Sequence, residues 1–221
     1  YIDAVDSFSV RITINGNGLR DLVSNYGYIF EVVETAEVKM ENSVDATSQV
    51  DEDLITNAPN DGSPIICVID SGIQENHKYL APAILVDDSL CLVPNETTTN
   101  DEYGRNGITG GHGTRVAGAV LYHNNIPVTG NFNLPYFIRN ARILDKRNRL
   151  PIDTNPCDVI THIIKVYSED AIKKTKIYNH SVGEETPFDG EQFKHMSYWA
   201  TKIDELSYKY DILFVQAAGN I

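Results

Sequence analysis

Five apolar residues without a charge among them, Ile65-Ile66-Cys67-Val68-Ile69, constrain this chain more than any other feature. A run this short and this uniformly apolar fits a strand covered on both faces, as strands of parallel sheets are. Asp70-Ser71-Gly72 follows at once. That aspartate falls where open α/β sheets place their ligands, at the carboxyl end of a strand. Two further stretches read as strands: Ile177 to Gly183, and Ile212 to Ala218, the latter running into Gly219-Asn220. Between them, Asp158 to Ala171 and Gln192 to Tyr210 carry apolar residues at helical spacing. Strands alternating with helices predict an α/β fold with a mainly parallel sheet.

A second feature is Gly111-His112-Gly113-Thr114-Arg115-Val116-Ala117-Gly118. Glycine on both sides of a histidine removes two Cβ atoms and lets another chain approach the imidazole. Thr114 is the expected N-cap of a helix continuing through Val116, Ala117, Val120 and Leu121. A lone histidine is ordinarily a packed or surface residue. This one lies between a strand ending in Asp-Ser-Gly and later segments ending in Ser181-Val182-Gly183 and Ala217-Ala218-Gly219-Asn220.

In that order the four segments resemble the subtilisin family of serine proteases, from Pro64 to Ile221. The resemblance implies a subtilisin-like three-layer fold, truncated, and hydrolysis of peptide bonds with a polypeptide as substrate. It casts His112 as the base that takes a serine proton, since an imidazole titrates near neutral pH. Asp70 orients that ring and stabilises its charged form, and Asn220 donates to the oxyanion; subtilisin itself is the reference case for both roles. Ser181, Val182 and Gly183 present backbone to an extended substrate, adding it as a strand. The family's nucleophile lies in a Gly-Thr-Ser turn, and none occurs in these 221 residues. The expectation is therefore the front part of a subtilase, inactive alone, with two of three triad members. The alternative is a catalytically inactive module that binds peptides or a partner. Intact Asp70, His112 and Asn220 favour the enzyme, because an inactive copy is free to lose them. The family often binds calcium, but Asp87, Asp88, Asp101 and Glu102 show no calcium-loop spacing. No metal site and no cofactor are assigned.

Ahead of the resemblance, residues 1–40 read as a small α+β segment. Phe8, Val10, Ile12 and Ile14 alternate as in a strand, Leu19 to Tyr26 suits a helix, and Tyr28 to Val33 returns as a strand. By resemblance this segment is a possible prodomain remnant. Residues 41–63 read as an acidic linker, and 64–221 as the catalytic domain, incomplete at its C-terminus. Residues 82–110 form an irregular insertion. With 18 Lys and Arg against 31 Asp and Glu, net charge -13 leaves no basic stripe, which excludes nucleic acid as a partner. No run approaches a membrane span and no signal peptide is visible. Cys67 sits in the apolar strand. Whether Cys91 and Cys157 pair is open, as are oligomeric state and localisation.

Overall fold

A computed structural model describes residues 2–3, 8–29, 32, 38–39, 53–102, 111–123, 127–184 and 197–217. The chain divides into two compact units, Tyr1–Ala36 and Glu37–Ile221. In the first, strand β1 (Ile2–Asp3) pairs antiparallel with β2 (Phe8–Ser9). Helix α1 (Gly16–Asn25) starts at Asn15, whose side chain accepts from the Gly18 N–H at 2.9 Å. The expected strand over 8–14 is thus two residues long, and Val10, Ile12 and Ile14 stand exposed. Alternation alone does not make a strand where its ladder has no partner. Of the strand expected over Tyr28 to Val33, Tyr28 lies in a turn and Ile29 and Val32 lie outside any strand; residues 30, 31 and 33 fall outside the described residues.

The second unit runs β3 (Val38–Lys39), β4 (Leu54–Asn57), β5 (Ile65–Asp70), β6 (Leu90–Cys91), α2 (His112–Tyr122), β7 (Gly130–Asn133), β8 (Phe137–Arg142), α3 (Pro156–Ile164), β9 (Ile177–His180), β10 (Gly183–Glu184), α4 (Tyr198–Tyr210) and β11 (Leu213–Gln216). A π-helical turn, Lys165–Asp170, extends α3. Five strands form a parallel sheet in the order β11-β9-β5-β8-β6. Strand β5 is central, and all six of its residues are buried. Its alternating side chains feed two cores. Ile66 and Val68 pack with Ala117 and Leu121 of α2 and with Ile138. Cys67 and Ile69 pack on the other face with Ile160, Ile163 and Ile164 of α3 and Leu206 of α4. Helices on both faces of a parallel sheet give the α/β fold that alternating strands and helices predicted, in the three layers that the resemblance implied.

Several short strands escaped the sequence reading, β7 among them. β4 lies in the stretch read as linker and pairs parallel with β7, burying Leu54. β6 lies in the stretch read as irregular insertion and pairs parallel with β8. β3 pairs antiparallel with β10, Gly183 opposite Lys39. None of the three cysteines forms a disulfide. Burial pushes the Cys67 thiol far up, so it acts as a small apolar residue. Among the described residues no helix is long and apolar enough to cross a membrane.

Candidate active site

Asp70 is the last residue of β5 and His112 the first of α2. They meet because α2 begins earlier than expected. Its cap is Gly111 in the left-handed region (φ +84°), not Thr114. The Thr114 hydroxyl instead accepts from the Gln74 N–H at 2.9 Å, tying the helix start to the turn after β5. That turn and the helix are in contact. A Cβ built on Gly113 would lie 2.2 Å from the Gly72 carbonyl oxygen and 3.1 Å from Asp70 Cβ.

His112 Nδ1 lies 2.9 and 3.0 Å from the two carboxylate oxygens of Asp70. Between two acceptors Nδ1 carries the proton, which leaves the Nε2 lone pair free to accept. Nε2 has no hydrogen-bond partner among the described residues. Asp70 is 1% exposed. A carboxylate buried this deeply must be satisfied by donors, and Asp70 Oδ1 also accepts from the Ser71 N–H at 2.7 Å. The Ser71 hydroxyl donates to Asp101 Oδ2 at 3.0 Å and accepts from the Gly113 N–H at 3.1 Å. Ser71 is therefore a buried brace between strand and helix, already engaged on both its donor and acceptor sides.

Behind the pair sits Arg142, the last residue of β8 and the register partner of Asp70. It is fully buried and donates to Glu96 at 2.6 Å, to Glu102 at 3.4 Å, and to the carbonyls of Thr98 and Leu144. A buried guanidinium is tolerated when its N–H groups find acceptors in this way. It holds residues 96–102 against the Asp70 turn. Asn140, also buried, donates to Glu75 and to the Thr99 carbonyl. Sequence reasoning missed Arg142 and Asn140, although β8 carries three polar residues, Arg139, Asn140 and Arg142, all of them buried. Three of the acids considered for calcium have other partners: Asp88 pairs with Arg139, Glu102 with Arg142, and Asp101 accepts from Ser71. No group of three His, Cys, Asp or Glu able to hold a metal is found among the described residues.

Ser181 and Val182 follow β9, and Gly183 opens β10. Ser181 donates to Asn179 at 2.8 Å, Val182 is buried, and Gly183 is exposed. Asn220 lies outside the described residues. Two strand ends are thus brought beside one another, β5 with its bonded Asp70–His112 pair and β9 leading into β10.

His180, the last residue of β9, is wholly buried, and that burial holds its imidazole below the usual range. The Gln216 hydrogen bond and the charge of Asp70 oppose the shift without reversing it. The His77 imidazole is lowered in the same direction by partial desolvation. Between the lowered value and the ordinary value of about 6.5, the unfolded chain binds a proton that the folded chain refuses. Stability is therefore expected to fall as pH drops below about 6.5. The drop in melting temperature from neutral to mildly acidic pH should be smaller in His180→Gln. Equal drops in the two proteins would remove His180 as a source.

Residues 61–221 match the family described as the subtilase family. No curated protein sequence matches the chain. Among solved structures, the epidermin leader peptide processing serine protease EpiP from Staphylococcus aureus is similar at 21% identity, with a TM-score of 0.47. The match covers 82% of this chain and 46% of that one, so this chain spans about half the length of that relative.

Proposed function

The chain belongs to the subtilase family, and from that premise we propose that it carries the Asp-His half of a serine endopeptidase whose substrate is a polypeptide. The observation that supports this best is the Asp70–His112 pair, bonded at 2.9 Å with the carboxylate buried. In the reading, a serine hydroxyl attacks the scissile carbonyl while His112 Nε2 takes its proton. Asp70 stabilises the imidazolium that forms, without itself taking the proton. His112 then returns the proton to the leaving amine, and water repeats the cycle on the acyl-enzyme. Asn220 is assigned to the oxyanion. Ser181, Val182 and Gly183 are assigned to the substrate backbone. The antiparallel pairing of Gly183–Glu184 with Val38–Lys39 supports the second assignment, because an extended peptide adding to that edge would pair the same way. By the family resemblance, residues 1–40 are read as a possible prodomain remnant.

The nucleophile is assigned outside residues 1–221, where no Gly-Thr-Ser turn occurs. A fluorophosphonate probe is expected to leave the 221-residue chain unlabelled and inactive, because a serine reacts only when an adjacent base activates it. Ser71 is engaged by Asp101 and Gly113. Stoichiometric label on Ser71 or Ser181 would overturn this assignment. A full-length protein that also resists the probe would favour the peptide-binding module instead.

A further inference from the structure

We propose that His180 and Gln216 form a positioning pair that pins the peptide-binding strand, and so governs affinity for extended substrates; this rests on the protease reading above. The two residues are register partners across β9 and β11. The backbone link between these strands reaches the Ala217 N–H, which donates to the His180 carbonyl at 3.2 Å. Past that point a side chain joins them. Gln216 Oε1 accepts from His180 Nδ1, while Gln216 Nε2 donates to the Val182 carbonyl at 2.8 Å and the Ala217 carbonyl at 3.3 Å.

The chemistry permits one orientation. Turning the amide over would set its oxygen against two carbonyl oxygens, so the NH₂ must face Val182 and Ala217. Oε1 then faces the imidazole, which fixes the His180 proton on Nδ1. The ring has no freedom to compensate, because Trp199 meets it edge-to-face at 5.1 Å and Phe214 at 6.5 Å. His180 Nε2 is buried without a hydrogen-bond partner among the described residues. A second proton there would place a charge out of reach of water. His180 is thus held as a neutral Nδ1–H donor, and its one bond aims the Gln216 amide at Val182. Val182 is pinned just where the chain turns into Gly183–Glu184, the edge that already carries an antiparallel partner. Neither residue touches the reacting atoms; both act through the strand.

The test uses the full protein and compares Gln216→Glu and Gln216→Met with wild type. Glu keeps the acceptor for His180 and loses the donor to Val182; Met loses both. Gln216 is largely exposed, so neither change threatens the core. Two substrates share the residue at the reacting carbonyl: a six-residue peptide amide and a single-residue ester too short to reach the strand. The expected result is an increase of about tenfold in KM for the peptide in both variants, the scale of one net hydrogen bond. The loss on the ester should be at least about fivefold smaller. Imidazole ¹⁵N shifts should report the Nδ1–H tautomer for His180 in wild type, and a raised His180 pKa in Gln216→Glu. Equal losses on both substrates, or an unchanged peptide KM, would overturn the proposal. If wild type hydrolyses neither substrate, the protease reading fails by itself. The pair is then judged by the ¹⁵N shifts, and an Nε2–H tautomer in wild type would refute it.

Discussion

Asp70→Asn is expected to lower kcat of the full protein by about 10⁴ while the fold survives. Asparagine has nearly the same shape, and its oxygen can still accept from the Ser71 N–H. Its NH₂ then takes the place of Oδ2, 3.0 Å from His112 Nδ1, where it donates to that nitrogen and makes it an acceptor. The ring proton moves to Nε2, the atom that must take the serine proton, and the base is blocked. The loss therefore comes from a tautomer and not from a missing contact, and it should fall on kcat with KM little changed. Steady-state kinetics on an unstructured peptide, with circular dichroism as the folding control, makes the check. A folded Asp70→Asn protein within about tenfold of wild type would remove Asp70 from the mechanism.

The second large effect is steric. Gly113→Ala should destabilise the Glu37–Ile221 unit by at least about 3 kcal/mol, or roughly 10 °C in melting temperature. The new Cβ would lie 2.2 Å from the Gly72 oxygen. That oxygen is backbone and has no rotamer to yield. Gly72 cannot easily move away, since it holds φ +101° and a Cβ on it would lie 2.5 Å from the Thr99 oxygen. The strain would separate the strand end from the helix start and pull His112 off Asp70. The same substitution five residues on should do the opposite. Gly118 faces open space, so Gly118→Ala should be neutral or stabilising by up to about 1 kcal/mol. Thermal melts of the two variants suffice. If Gly113→Ala melts within about 2 °C of wild type, the packing account is wrong.

These two positions also mark what was legible in the sequence. β5 declared itself, because its first five residues are apolar without a break and buried on both faces. β4 did not, since it buries only Leu54 and lies in an acidic stretch, and β6 has just two residues. The start of α2 was misplaced at Thr114 because the cap is a backbone conformation of Gly111 and not a side-chain oxygen. The Asp70 and His112 segments could be recognised because the close approach of helix and turn restricts which residues fit there. Arg142, His180 and Gln216 could not. Each is polar and tied to partners distant in the chain, and no local spacing announces that.

The central place of β5 has a consequence for synthesis. Its neighbours in the sheet, β8 and β9, both come later in the chain, from residue 137 and residue 177. At roughly 5–20 residues per second, a ribosome needs several seconds after Asp70 to deliver the first of them. Throughout that interval the most apolar strand of the protein has been made and neither edge is paired. Helix α2 emerges in the meantime, and Ala117 and Leu121 can cover the Ile66 and Val68 face. The Cys67 and Ile69 face waits longer, for the isoleucines of α3. A nascent chain stalled between residues 122 and 137 would display half a core, and holdase chaperones would find their target there.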